Sequence, residues 1–140
     1  MSGRRFIDTN VLIYAHDLDA GPRHDRAAEI LRDLWRSGLG VISVQVLQEF
    51  YVNVTRKIPR PLELADARAV IEAYRAWQVE APGPCTVLQA SEIQERNRLS
   101  FRDAMILATA IEGNAEVLLS EDLNHGQSIE GVRIENPFLH

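Results

Sequence analysis

Arg4-Arg5-Phe6-Ile7-Asp8-Thr9-Asn10-Val11-Leu12-Ile13-Tyr14-Ala15-His16 is the stretch from which the fold follows. Arg4 to Asp8 reads as a buried strand, Thr9-Asn10 breaks it, and Val11 to His16 makes a short helix. A strand that runs straight into a helix is the repeating unit of α/β folds. The rest of the chain repeats the alternation. His24 to Ser37 carries Ala27, Ile30, Leu31, Leu34 and Trp35 at helical spacing and stops at Gly38 and Gly40. Val41 to Ser43 is a second short strand, and Gln45 to Val54 a helix with Leu47, Phe50, Tyr51 and Val54 as its apolar stripe. Pro61 is read as the first-turn proline of a helix through Trp77, with Ala67, Val70, Ile71 and Tyr74 inward. Gln78 to Glu80 is a candidate third strand before the Pro82-Gly83-Pro84 loop.

Thr86-Val87-Leu88-Gln89 has the form of a capping box for a helix to about Leu99, and Ser100-Phe101-Arg102-Asp103 has it again for a helix to Ile111. Val117 to Ser120 and Val132 to Glu135 are the last two strands. The expected fold is α/β: one domain over residues 1–140, with a central five-stranded parallel sheet covered by helices on both faces.

Bulk properties agree. A domain near this chain's 140 residues buries roughly 68–70% of its unfolded surface, so no disulfide or structural metal is needed for a core. Hydrophobic residues make up 46% of the chain, too many for a disordered one. Cys85 is the single cysteine, which points to a reducing, cytoplasmic setting. No apolar run nears the ~20 residues of a membrane span, and a strand starting this early leaves no room for a signal peptide.

Four acids stand where elements begin or end. Asp8 closes the first strand, Glu49 follows the second in Gln45-Val46-Leu47-Gln48-Glu49-Phe50, Asp103 opens a helix, and Asp122 follows Val117-Leu118-Leu119-Ser120. Each has an ordinary explanation. Asp8 could be a helix cap, although Asp8-Thr9-Asn10 offers more polar groups than one cap needs. Glu49 shares a helical face with Gln45 and Asn53, which fits a solvated stripe. Asp103 fills the acidic place of a capping box, and Asp122 suits an Asx turn, with its neighbour Glu121 read as the solvent-facing member of the pair. Together they say more, because strand ends and helix starts share the ligand-binding edge of a parallel sheet. Four carboxylates there repel one another unless a cation sits between them, and Mg²⁺ or Mn²⁺ prefers such oxygens. Asn10 and Ser120 are secondary candidates for orienting ligands or substrate.

No other chemistry competes. His16, His24, His125 and His140 lack zinc spacing, and there is neither a Gly-rich phosphate loop nor a nucleophile elbow. The formal net charge of −5 does not by itself argue for a nucleic-acid ligand. Part of that charge is the candidate site, however, and two divalent cations would offset it locally. Basic residues cluster at Arg4-Arg5, at Arg56-Lys57 with Arg60, and at Arg96, Arg98 and Arg102.

These stretches resemble a known family. Phe6 to Tyr14 resembles the opening motif of PIN-domain nucleases, Gln45 to Phe50 their second acidic motif, Ser100 to Ala110 the third and Leu118 to Leu123 the fourth. Gly131 to Phe138 is similar to the tail of VapC-type toxins. The resemblance implies a PIN-like domain in which Asp8, Glu49, Asp103 and Asp122 hold Mg²⁺ or Mn²⁺ for a single-strand-selective endoribonuclease. It also implies a VapB-type antitoxin partner and a homodimer. Many relatives carry an aromatic residue where this chain has Arg102.

Such a site would use its cation or cations to activate water and stabilise charge on the scissile phosphate. Without metal, the crowded carboxylates are expected to have raised pKa values, and Asp8→Asn to leave the fold at least as stable. Three other readings compete: a PIN-fold RNA-processing nuclease without an antitoxin, an aspartate-dependent phosphatase or phosphotransferase with Asp8 as nucleophile, and an inactive binding module. Asn10, standing where phosphatases place a second Asp, weakens the phosphatase reading.

Overall fold

The computed structural model describes residues 3–139, so His140 lies outside it. The strands are β1 (Arg5–Ile7), β2 (Gly40–Ser43), β3 (Gln78–Glu80), β4 (Val117–Leu119), β5 (Ser128–Ile129) and β6 (Val132–Glu135). The helices are α1 (Thr9–His16), α2 (Pro22–Ser37), α3 (Val44–Arg56), α4 (Leu64–Tyr74), α5 (Pro84–Asn97) and α6 (Phe101–Glu112). The sheet runs β3-β2-β1-β4-β6-β5. All neighbours are parallel except β5, which pairs antiparallel with β6.

The five expected strands are all present, and the class is α/β as read. The sixth strand is the addition. Glu130 (φ 52°) and Gly131 (φ 86°) link Ile129 to its partner Val132. Two successive residues at positive φ make the two-residue hairpin turn whose twist suits paired strands. Glu-Gly signals that turn less openly than Asn-Gly, so β5 passes unnoticed in the sequence.

α1 starts earlier than read, at Thr9, and α2 at Pro22; two further helix starts differ for reasons their hydrogen bonds show. Pro61 lies outside α4, because Leu62 N–H is held 2.8 Å from the Val54 carbonyl at the end of α3 and the cap falls at Glu63. α5 begins at Pro84 with Gly83 as its cap. Thr86 is therefore inside the first turn, where its Oγ1 accepts from Gly83 N–H at 3.1 Å and donates to Glu112 at 2.6 Å. The second box is as read: Ser100 caps α6, accepting from Asp103 N–H at 3.1 Å.

β1 and β4 are the centre of the sheet, and Phe6, Ile7, Val41, Ile42, Leu118 and Ile134 are buried to 2% exposure or less. Strands buried on both faces read as continuous apolar runs, which is how Phe6-Ile7, Val41-Ile42 and Val117-Leu118-Leu119 appear. α2 reaches the sheet through Ala27, Ile30, Leu31 and Leu34, and α6 through Ala104, Leu107 and Ala108. Trp35, Tyr74 and Trp77 cluster with centroids 4.8–5.5 Å apart; Trp77 meets both others edge to face, as aromatic quadrupoles favour, and Trp35 and Tyr74 are tilted.

Trp77 lies flat against Gly40 at the start of β2. A Cβ at Gly40 would come within 3.0 Å of three atoms of that ring. Gly40→Ala should therefore overpack the sheet and cost about 1–3 kcal/mol, lowering Tm by several degrees. Thermal melts would show a smaller loss for the same change in a Trp77→Leu background, and an equal loss in both would show that the ring is not the cause.

Candidate active site

The strand order reverses at β1. From there the chain builds outward to β2 and β3 on one side, while β4 and β6 lie on the other. In open parallel sheets the crevice at such a switch point, at the carboxyl ends of the strands, is where ligands bind. Asp8 follows β1 directly, and Asp122 lies three residues beyond the end of β4.

Asp8 is 1% exposed and caps α1, its Oδ1 accepting from Thr9 N–H at 2.7 Å. Its Oδ2 accepts from Ser120 Oγ at 2.9 Å, and that hydroxyl in turn accepts from Asp122 N–H at 3.1 Å. Ser120 thus fixes two of the acids at once. Glu49 comes from the second turn of α3, with its carboxylate 2.5 Å from Thr9 Oγ1 and 3.5 Å from Gln45 Nε2. Asn53 turns to the Glu49 backbone carbonyl at 2.8 Å. Asp103 stands in the first turn of α6, where the helix dipole favours a carboxylate. Asn10 Nδ2 reaches Asp122 at 3.3 and 3.4 Å and Glu121 at 3.5 Å. All four expected acids and both supporting residues are gathered at one edge.

Between the acids lies Arg102. Its Nη2 is 2.8 Å from Asp8 Oδ1, 2.7 Å from Glu49 Oε1 and 3.1 Å from Thr9 Oγ1. Its Nη1 is 3.2 Å from Asp8 Oδ2, 3.1 Å from Asp103 Oδ1 and 3.9 Å from Asp122 Oδ2. Nε closes the set, 3.3 Å from Glu49 Oε2. A planar guanidinium with five N–H donors suits this bridging role better than a lysine would.

The charge pattern departs from a simple picture of crowded acids. Burial alone would raise the Glu49 carboxyl, but hydrogen bonds from Arg102 and Thr9 outweigh it and hold the group below its usual range. Asp122 is raised, first by burial and then by the negative charge of Asp8, with Arg102 acting against both. Burial would lower Arg102, yet its bonds to Glu49 and Asp8 raise it well above an ordinary arginine. The rise expected for the acids is met at Asp122 and reversed at Glu49. Asp8→Asn would also remove an anion from the Arg102 fork, so the extra stability expected from relieved repulsion does not follow.

Glu121 is a further correction. It is the more buried of the pair, with a side chain 16% exposed against 42% for Asp122. The Tyr14 hydroxyl donates to it, and Arg23 Nε lies 3.2 Å away. Burial and the bond to Glu121 push the Tyr14 hydroxyl up to about 12. Tyr14, Arg23 and Thr9 are the residues that sequence reasoning missed. For Tyr14 a signal existed, since it lies four residues after Asn10 on the same face of α1.

A groove of about 510 Å³ opens beside the acids, lined by Asn10, Gln48, Glu49, Asn53, Lys57 and Arg102 among others. Lys57 and the amides of Asn10, Gln48 and Asn53 give it groups that can meet a phosphate-bearing chain, while Ile13 and Val52 add apolar wall. A depression of similar size, between Arg5, Arg26, Leu34 and His125, contains none of the four acids.

The donor set fits a hard divalent cation in its chemistry, since carboxylate oxygens are what such ions take. Its present spacing is set by Arg102, a cation in the place an ion would fill. As it stands, no group of three or more His, Cys, Asp or Glu side chains among the described residues is placed to hold a metal.

The family model described as PIN domain matches residues 5–127, a span that contains all four acids. The chain belongs to the PIN-domain family. Solved PIN-like structures agree in fold. The Mycobacterium tuberculosis VapC20 toxin, described as cleaving the sarcin-ricin loop, is 24% identical at a TM-score of 0.62, covering 81% of this chain and 86% of its own. A toxin–antitoxin complex from Klebsiella pneumoniae matches at 22% identity and a TM-score of 0.69, with 96% and 98% covered. DNA-bound VapBC from Salmonella typhimurium matches at 21% and 0.65, with 94% and 96% covered. At these identities the likeness shows the fold. No curated protein sequence matches the chain.

The raised Asp122 gives a signed expectation for this PIN domain. A carboxyl whose folded pKa lies above its unfolded value makes folding less favourable while ionised, and the cost fades as pH falls through the folded pKa. In EDTA at pH 7, Asp122→Asn should melt at or above the wild-type temperature, and the gap should close on acidification toward pH 4. A variant that melts lower at pH 7 would show that the Asp122 charge is already compensated.

Proposed function

We propose that this PIN domain is a Mg²⁺- or Mn²⁺-dependent endoribonuclease, the toxin of a toxin–antitoxin pair. The observation that carries the reading is the convergence of Asp8, Glu49, Asp103 and Asp122 on one cation at the sheet's switch point. Asp8, Asp103 and Asp122, with Glu49 at the side, are the residues that would hold the metal. When bound, a divalent cation supplies the Lewis-acid charge that phosphodiester hydrolysis needs.

The protein's own contribution is placement. Ser120 fixes Asp8 against Asp122, Thr9 fixes Glu49, and Asn10 holds Asp122 from the α1 side. These bonds keep the carboxylates at the crevice ahead of any reaction, the kind of preorganisation on which electrostatic catalysis depends. The adjoining groove, with Lys57, Asn53 and Gln48, would take the RNA backbone.

RNA as substrate rests on the likeness to the toxin described as cleaving the sarcin-ricin loop, and the VapB-type antitoxin on the neighbours that are toxin–antitoxin complexes. The homodimer is proposed on the motif resemblance alone, and the cytoplasmic setting on the lone cysteine. We read the whole chain as one domain. Among the described residues, no helix is long and apolar enough to cross a membrane. A phosphatase using Asp8 as nucleophile is disfavoured, because both Asp8 oxygens are engaged by Thr9, Ser120 and Arg102.

Purified protein should cut a mixed single-stranded RNA pool in Mn²⁺ and lose that activity in EDTA. Asp8→Asn, folded by its thermal melt, should cut at least about a hundredfold more slowly. Cutting that survives EDTA or the Asp8 substitution would overturn the metal-dependent reading.

A further inference from the structure

Arg102 makes with the four acids the set of contacts that a metal ion makes with its ligands. All three guanidinium nitrogens are used, and every acid of the set lies within 3.9 Å of one of them. Thr9 Oγ1, which fixes Glu49, is drawn into the same fork. Nothing else of positive charge reaches Asp8, Glu49 or Asp103 among the ion pairs of the described residues.

A guanidinium and a divalent ion cannot share that point. Oxygens coordinate Mg²⁺ at about 2.0–2.1 Å, closer than any contact the guanidinium makes with these acids. The two positive charges would also repel across a site partly shielded from water. Arg102 can yield without unfolding anything, because its side chain is 33% exposed and borders two grooves. On one side lie Asn53 and Lys57, on the other Gln45, Phe101 and Met105. Its backbone stays in the first turn of α6, held by the Ser100 cap.

We propose that Arg102 is a tethered competitor of the divalent cation: it neutralises the acids in the metal-free protein and must leave them before the cation binds. The proposal rests on the metal-dependent reading above and adds what sets the affinity. The acids are kept folded and paired without metal, and the cation binds only by displacing an arginine already in place. Metal occupancy is therefore weaker, and more sensitive to cation concentration, than four carboxylates alone would give.

The test is calorimetric titration of MnCl₂ into the full chain, comparing wild type, Arg102→Gln and Arg102→Lys, with thermal melts of each in EDTA. Arg102→Gln should bind Mn²⁺ roughly tenfold tighter or more, because a repelling charge is gone. Arg102→Lys should fall between, since lysine keeps the charge but not the fork. In EDTA the Gln variant should melt below wild type, with Mn²⁺ restoring it. If wild type binds Mn²⁺ and Arg102→Gln binds it no tighter, the competitor role is overturned while the metal site stands. Should the Gln variant not fold, Arg102→Lys decides, and affinity equal to or below wild type overturns the proposal. If neither wild type nor a folded variant binds Mn²⁺, the metal-dependent reading falls and the proposal with it.

Discussion

Crowded negative charge at the carboxyl ends of β1 and β4 is the constraint to which the rest of this PIN domain answers. At 4 Å, two unit charges interact by about 4 kcal/mol at an effective dielectric of 20. Asp8, Glu49, Asp103 and Asp122 each lie within 3.9 Å of one guanidinium, with Glu121 close behind, so repulsive terms of this kind add up. Three features offset them. Asp8 and Asp103 stand at helix N-termini, where the dipole and free N–H groups favour anions. Arg102 threads between four of the acids, and Arg23 with Tyr14 engages Glu121. The apolar strands beneath supply the rigid floor on which these groups are held.

The fold was largely legible because its signals are local. A parallel strand buried on both faces must be an apolar run, and Phe6-Ile7, Val41-Ile42 and Val117-Leu118-Leu119 are such runs. The boundaries that moved did so for tertiary reasons. Leu62 is tied back to Val54, which keeps Pro61 out of α4. Pro84 and Gly83 take over the start of α5, which makes Thr86 an interior residue. β5 depends on a Glu130-Gly131 turn whose positive φ values no strong sequence preference announces.

The clustering of the four acids was legible for a related reason, since each sits at a strand end or helix start that pattern alone can locate. Their partners were not. Arg102 and Asp103 are adjacent in sequence, and consecutive helical residues diverge by about 100°. A pattern reading would therefore send the two side chains in different directions. In the first turn of a capped helix at a sheet edge both can face the crevice, and only the fold brings Asp8 to Arg102 across 94 positions. Glu121 was misread in the same way. Solvent exposure after a strand end depends on what packs above it, here α1 through Tyr14 and α2 through Arg23.

An arginine supplied in cis changes how the toxin–antitoxin reading should be understood. A cationic group from a protein partner, a divalent cation and Arg102 would all seek the same four carboxylates. Binding of any one weakens binding of the others, and that coupling is reciprocal by necessity. A partner's cationic group aimed at this site would have to displace Arg102 and would recover only the difference between the two pairings. Most of the affinity for such a partner would then have to come from surfaces beyond the acids, where desolvated apolar contacts rather than charge set the strength of an interface. Electrostatics at the acids would govern which cation occupies the site more than which protein covers it.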